Sequence, residues 1–151
     1  MSLTVVDTTC FVALERIGQL DVLPRVFTEI AAPPTVVQEF GRAPEWLEVR
    51  AVSNDLLSTA LRTQLHRGEA EVIALAAEIA AQSVVLDDKK ARRIARELGL
   101  RPIGTVGVIL RAKRSGVIPA CRPLLDSLMR AGFYMSDALY REALRLAGEA
   151  D

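Results

Sequence analysis

The sequence predicts an α/β domain, a buried parallel sheet covered by helices on both sides and followed by a helical C-terminal tail. Three observations lead there. Short, β-branched apolar runs recur along the chain, each followed by a segment with helical spacing, and that alternation implies right-handed crossovers between parallel strands. The composition is 50% hydrophobic but only 5% aromatic. The core is therefore built from Leu, Val, Ile and Ala, which suits helices packed on a sheet better than a β-sandwich. Finally, 151 residues fit one domain, taken as 1–151 with 119–151 as a helical extension.

The elements follow in order. Leu3-Thr4-Val5-Val6 reads as a buried strand ending at Asp7. Thr8 or Thr9 is expected to cap the next helix, in which Cys10, Leu14 and Ile17 share a face and Gly18 is the stop. Asp21 to Phe27 suggests a short helix. Glu29-Ile30-Ala31-Ala32 is a second strand closed by Pro33-Pro34, and Pro34 suits the first turn of a helix over Thr35 to Phe40. Gly41 to Glu48 looks irregular, Val49 to Val52 a short strand, and Asn54 to Leu65 a helix. Gly68 to Ala81 is the clearest helix, with Val72, Ile73, Ala76, Ile79 and Ala80 along one stripe. Ser83-Val84-Val85-Leu86 is a buried strand ending at Asp87-Asp88. Lys89 to Leu98 is a basic amphipathic helix stopped by Gly99, Arg101-Pro102-Ile103 a strand, and Gly104 to Ser115 a helix. From Pro119 the pattern is a helical hairpin. Leu124, Leu125, Leu128 and Met129 form its first apolar face, and Ser136-Asp137 caps a helix bearing Leu139, Ala143, Leu144 and Ala147.

Nineteen Lys and Arg balance nineteen Asp and Glu. This neutrality argues against a protein that holds nucleic acid through its own field alone, yet suits an enzyme in which a metal ion supplies the positive charge. Cys10 and Cys121 show no paired spacing and read as buried free thiols of an intracellular protein. Met1-Ser2-Leu3 leads straight into a strand without a signal-like segment, and no apolar run is long enough to span a bilayer, so a cytoplasmic location is expected.

Sites in parallel sheets gather at the carboxyl ends of strands. Asp7 and Asp87, with Asp88 beside it, fall at two such ends. One Asp after a strand is ordinarily a cap or turn residue. Two in one sheet point further, because clustered carboxylates repel unless a cation is shared. Glu39 sits on a short helix aimed by Pro33-Pro34 from the end of another strand. Glu69 precedes Val72 and Ile73 by three and four residues and shares their stripe, whereas Glu71 falls nearer Glu78. A first-turn acid favoured by the helix dipole is the plainer reading of Glu69.

Other chemistries are poorly represented. His66, the single histidine, has no His or Cys partner at ligand spacing, so zinc is not expected. The nucleophile elbow, the P-loop and the GxGxxG fingerprint are missing, and Gly104-Thr105-Val106-Gly107 reads as a helix start packed close to the sheet. A phosphatase on a related scaffold would need an Asp-x-Asp signature, which the chain lacks. An acid-only set suits Mg²⁺ or Mn²⁺, which can activate water and neutralise charge on a phosphodiester.

Val5-Val6-Asp7-Thr8 and Pro34-Thr35-Val36-Val37-Gln38-Glu39 resemble the first two acidic motifs of PIN-domain nucleases. The segments Gly68 to Ala76, Val85 to Arg92, Gly104 to Leu110 and Ala112 to Gly116 resemble a PIN-like branch long catalogued as a domain of unknown function. The resemblance spans nearly the whole chain and implies a three-layer α/β/α sandwich. It also implies cleavage of single-stranded RNA by water activated at a Mg²⁺ or Mn²⁺ site. Asp7, Glu39 and Asp87 would be metal ligands or would position the water. Many relatives are homodimeric toxins silenced by a small antitoxin protein. The third acidic position departs from the commoner Asp, since this chain offers Glu69 or Glu71, and a Glu reaches one methylene further. Thr8 and Asp88 are secondary candidates, Asp88 as a partner of Asp87. Lys89, Lys90, Arg92 and Arg93, on the basic helix beside the site, are candidates for holding RNA phosphates.

Overall fold

The computed structural model describes residues 2–150; Met1 and Asp151, the bounds of the expected domain, lie outside the described residues. Five strands form one parallel sheet: β1 (Leu3–Val6), β2 (Glu29–Ala32), β3 (Leu47–Val49), β4 (Ser83–Val85) and β5 (Pro102–Ile103), in the spatial order β3-β2-β1-β4-β5. Helices lie on both sides, giving the three-layer α/β/α sandwich of a PIN-like fold. The chain winds outward from β1 through β2 to β3, then crosses back to β4 on the other flank of β1. Strand order therefore reverses between β1 and β4, and a crevice opens at their carboxyl ends.

Register explains why the central strands are apolar throughout. Val5 pairs with both Ala31 and Val84, and Val6 with Val85. Each of these residues is fully buried, as strands covered on both faces must be. The β1 ladder continues one step past the strand, where the Asp7 N–H donates to Val85 O at 3.1 Å. That bond fixes Asp7 at the carboxyl end of the sheet.

The first helix, α1 (Thr8–Arg16), starts directly after Asp7. The sequence put a capping role on Thr8 or Thr9. Instead Asp7 occupies the N-cap position, no side chain caps the helix, and the Thr8 hydroxyl is turned toward Glu39. After α2 (Val22–Val26) and β2 comes α3 (Pro34–Phe40), with Pro34 in its first turn and Gly41 left-handed at φ 96° after its end. Phe11 stacks on Phe40 and Trp46 with centroids 5.3 and 6.1 Å apart, tying α1 to α3 and to the excursion leading into β3.

That strand lies earlier than Val49–Val52. Leu47 pairs with Ile30 and Val49 with Ala32; beyond Ala32 the partner strand is ended by Pro33, so after Arg50 N–H bonds Ala32 O the ladder has nothing to continue on. Helix α4 (Leu56–Leu61) is shorter than Asn54–Leu65, because the Asn54 side chain folds onto Leu56 N–H as a turn instead of entering the helix. Helix α5 (Arg67–Glu78) packs on β1, β4 and α4. It buries almost its whole circumference from Val72 to Ala76, wider than one stripe. It ends before Ala81 because Ala80 turns left-handed at φ 51° and Ala81 N–H returns to Ala76 O.

Helix α6 (Lys89–Glu97) is capped by Asp88, whose carboxylate accepts from Ala91 N–H at 2.9 Å. Helix α7 (Thr105–Arg114) follows β5. The tail forms the expected hairpin, α8 (Arg122–Arg130) and α9 (Asp137–Leu146), with Ser136 capping α9 through Leu139 N–H. Leu125 and Leu128 are buried, but Met129 is 37% exposed, so the α8 apolar face is narrower than the sequence suggested. Helix α8 packs on α1 and α9 on α7, which carries the turn between them over the carboxyl side of the sheet. Both cysteines are free and buried.

Candidate active site

Asp7 is 6% exposed and lies at the carboxyl end of β1. Burial, the largest cause, pushes its carboxyl up to about 7; the neighbouring Thr8 N–H offsets part of this, and the charges of Glu69, Glu39 and Asp87 raise it further. Four carboxylates from four separate chain segments thus share one field. A groove of about 1240 Å³ is lined by Glu39, Glu69, Asp87 and Asp88, with Asp7 buried outside its lining.

Each acid is held differently. The Thr8 hydroxyl donates to Glu39 Oε1 at 3.0 Å. Gly68, at the start of α5, makes room for that carboxylate, since a Cβ there would stand 2.5 Å from Glu39 Oε1. Asp87 is gripped twice by the next crossover, accepting from Thr105 N–H at 2.8 Å and from the Thr105 hydroxyl at 2.6 Å. Burial nonetheless lifts the Asp87 carboxyl above its ordinary value, with those two bonds and Arg92 pulling it down. Gly104 performs the same service for Asp87 as Gly68 does for Glu39. A Cβ on it would lie 3.1 Å from Asp87 Oδ1 and 3.3 Å from Arg92 Nη1. Its close approach is therefore to the carboxylate and guanidinium as well as to the sheet.

Glu69 and Glu71 part company. Glu69 faces the groove, and its carboxyl is raised by burial first and then by Asp88 and Glu39, against a backbone bond from His66. Glu71 turns to Arg62 and Arg67 at 3.3 and 3.4 Å. The basic helix divides in the same way. Lys89 and Arg92 line the groove, joined by Arg96 and by Arg16 of α1. Lys90 is not among the lining residues, and Arg93 approaches Glu97 along the helix. Positions 89, 92 and 96 lie on one helical face, so the spacing itself carried the signal that Arg96, not Arg93, accompanies Arg92. Thr105, the holder of Asp87, had no comparable signal beyond its place at a helix start.

The donor set is all oxygen and crowded with like charge, the chemistry of a site for a hard divalent cation. Among the described residues no group of three or more Asp, Glu, His or Cys side chains stands in an arrangement that could hold a metal ion. Glu39 and Asp87 are instead engaged by Thr8 and Thr105. Thiolate chemistry finds no support, because burial pushes the Cys10 thiol far up and Asp87 and Asp7 push it further.

A parallel α/β/α sandwich whose acids collect where its strand order reverses carries its polar centre where such sheets bind ligands. The sequence matches the PIN-domain family DUF3368 over residues 3–149, and the chain belongs to that family. PIN domains are generally nucleases. No curated protein and no solved structure matches the chain.

Proposed function

We propose that this chain is a metal-dependent endoribonuclease that cleaves single-stranded RNA. The observation that carries this reading is the convergence of Asp7, Glu39, Glu69 and Asp87 in one field, with the Asp7 carboxyl driven up to about 7 by burial and by its neighbours. Carboxyls raised by burial and by one another are characteristic of sites.

Asp7, Glu39 and Asp87, which as placed do not form a metal-holding group, would hold Mg²⁺ or Mn²⁺ only once Glu39 and Asp87 turn from their threonine partners. When bound, the ion would lower the pKa of its water and screen the phosphodiester's charge. Glu69, whose carboxyl burial and acidic neighbours raise, accepts the proton of the attacking water. As the water oxygen bonds to phosphorus, the ester P–O bond opposite it breaks and the leaving oxygen takes up a proton from solvent. Lys89 and Arg92 hold the non-bridging phosphate oxygens, Arg92 from beside Asp87. Asp88 acts through the backbone as the cap that aims α6 and its cations.

In the cell we assign the protein to the cytoplasm, as the toxin of a toxin–antitoxin pair, acting as a homodimer and silenced by a small antitoxin protein. Among the described residues no helix is long and apolar enough to cross a membrane. The test is cleavage of single-stranded RNA by purified protein with Mn²⁺ and its loss with EDTA, in Asp7→Asn and in Asp87→Asn. Cleavage retained by both variants would reject the reading.

A second reading, a module of this fold that binds its partner without cutting, draws on the threonine-engaged Glu39 and Asp87. It expects RNA binding by protein free of antitoxin, with no cleavage under Mn²⁺.

A further inference from the structure

The groove above the acids is larger than a metal ion and a phosphate require. At about 1240 Å³ it exceeds the roughly 300–1,000 Å³ that enclose a typical small ligand. Part of its wall comes from the tail, through the turn between α8 and α9 that contributes Phe133 and Tyr134. Tyr134 is 86% exposed, an unusual position for an aromatic ring with neighbours available to pack on. Among the described residues nothing hydrogen-bonds its hydroxyl, unlike that of Tyr140, which donates to Asp126 at 2.7 Å. Arg16, Lys89, Arg92 and Arg96 stand around the same groove.

Cations spaced along a groove beside an uncovered aromatic ring match what an unpaired strand offers, phosphates on one side and free base faces on the other. An apolar protein segment would offer Arg16, Lys89 and Arg96 no counter-charge, and a duplex keeps its base faces stacked internally. We propose that Tyr134, flanked by Phe133, is a base-stacking subsite that seats one nucleobase of a single-stranded nucleic acid while the basic wall carries its phosphates. It is a positioning residue, distinct from the acids, and it deepens the nuclease reading on which it rests. The tail then supplies part of the substrate site.

The experiment measures binding of full-length protein, with EDTA present, to a ribose-methylated single strand and to the same strand lacking bases. Wild-type protein should prefer the base-bearing strand. Tyr134→Ala should weaken that strand about tenfold and leave the abasic strand unchanged, while Tyr134→Phe should bind both like wild type. Equal affinity of wild-type protein for the two strands, or an equal loss of both in Tyr134→Ala, overturns the subsite. Cleavage with Mn²⁺ is scored separately. A base preference in a protein that never cleaves keeps the subsite and sinks the nuclease, and cleavage indifferent to Tyr134 with no base preference does the reverse.

Discussion

Two regions of this molecule treat a carboxylate in opposite ways. At the carboxyl end of the sheet, Asp7 meets burial and three like charges, and its carboxyl rises to about 7. At the end of the tail, burial alone would also raise Glu149, but the Cys121 and Arg122 N–H groups and the Lys113 ammonium outweigh it and bring the carboxyl down to about 2. These bonds measure 2.7, 3.0 and 2.9 Å. Glu149 is a latch that closes the tail onto α7 and α8, with its charge satisfied. At the sheet end, Glu39 and Asp87 have threonine donors, but Asp7 has only the Thr8 N–H against burial and three like charges. A carboxylate with partners stabilises; one crowded by like charge and burial does not, and perturbed groups of that kind cluster at functional sites.

The sharpest way to break that contrast is Asp7→Asn. Cleavage should fall by about a hundred- to a thousandfold, while the metal-free protein becomes more stable at about pH 8, since a buried charge is removed. Paired RNA-cleavage and thermal-melting measurements check both, and a variant that is neither inactive nor stabilised would erase the distinction.

The pH dependence comes next. Asp7 has its folded value raised from 3.8 to about 7. Its favourable contribution is complete below pH 3.8 and is lost as pH rises through about 7, on the order of 2–4 kcal/mol. Glu149 has the reverse sign. Its value falls from 4.5 to about 2, so its contribution is present above pH 4.5 and is lost as pH falls through about 2. Denaturant melts of metal-free protein across this range should show stability declining toward neutrality. Added Mn²⁺ should restore it near pH 7 and do nothing near pH 4, where Asp7 is protonated.

Glu149→Ala should cost about 2–3 kcal/mol, because two backbone donors and an ammonium lose their acceptor. Its melt should lose the acid-side slope and keep the neutral one. Thr105→Val keeps the buried volume but removes one of two donors to Asp87, a loss of about 1 kcal/mol. The telling readout is the rate–pH profile, whose acidic limb should move to higher pH as Asp87 becomes harder to ionise. The smallest effect on stability is expected for Gly68→Ala. The added methyl meets only the far end of the flexible Glu39 side chain, so melting should change by less than about 1 kcal/mol while Mn²⁺ affinity drops. Unchanged affinity would show that Glu39 lies outside the metal site.

Much of this was legible in the residues. Leu3–Val6 and Glu29–Ala32 were readable to their ends, because a strand buried on both faces is an unbroken β-branched run bounded by Asp or Pro. Asp7 and Asp87 were readable as strand-end acids, and the ordered motifs carried the family. Val49 to Val52 misled because a strand's extent depends on what its partner can still bond, and Pro33 ends the partner. Thr8 or Thr9 was expected as a cap, but the Thr8 hydroxyl's choice between its own helix and Glu39 is made by the packing of α1 on α3. Lys90 and Arg93 carry the same charge as Lys89 and Arg92, and only helix phase against the sheet sends one pair into the groove.

By itself, then, the amino-acid order determined the periodicities, the strand-terminal acids and the balance of charge, because these are properties of a few neighbouring residues. Helix phase already favoured Glu69 over Glu71; the tertiary structure alone decided that Thr105 grips Asp87 and that the tail's Tyr134 shares the acids' groove. Those are distances between segments far apart in the chain, set by how helices dock on the sheet, and no local pattern encodes them.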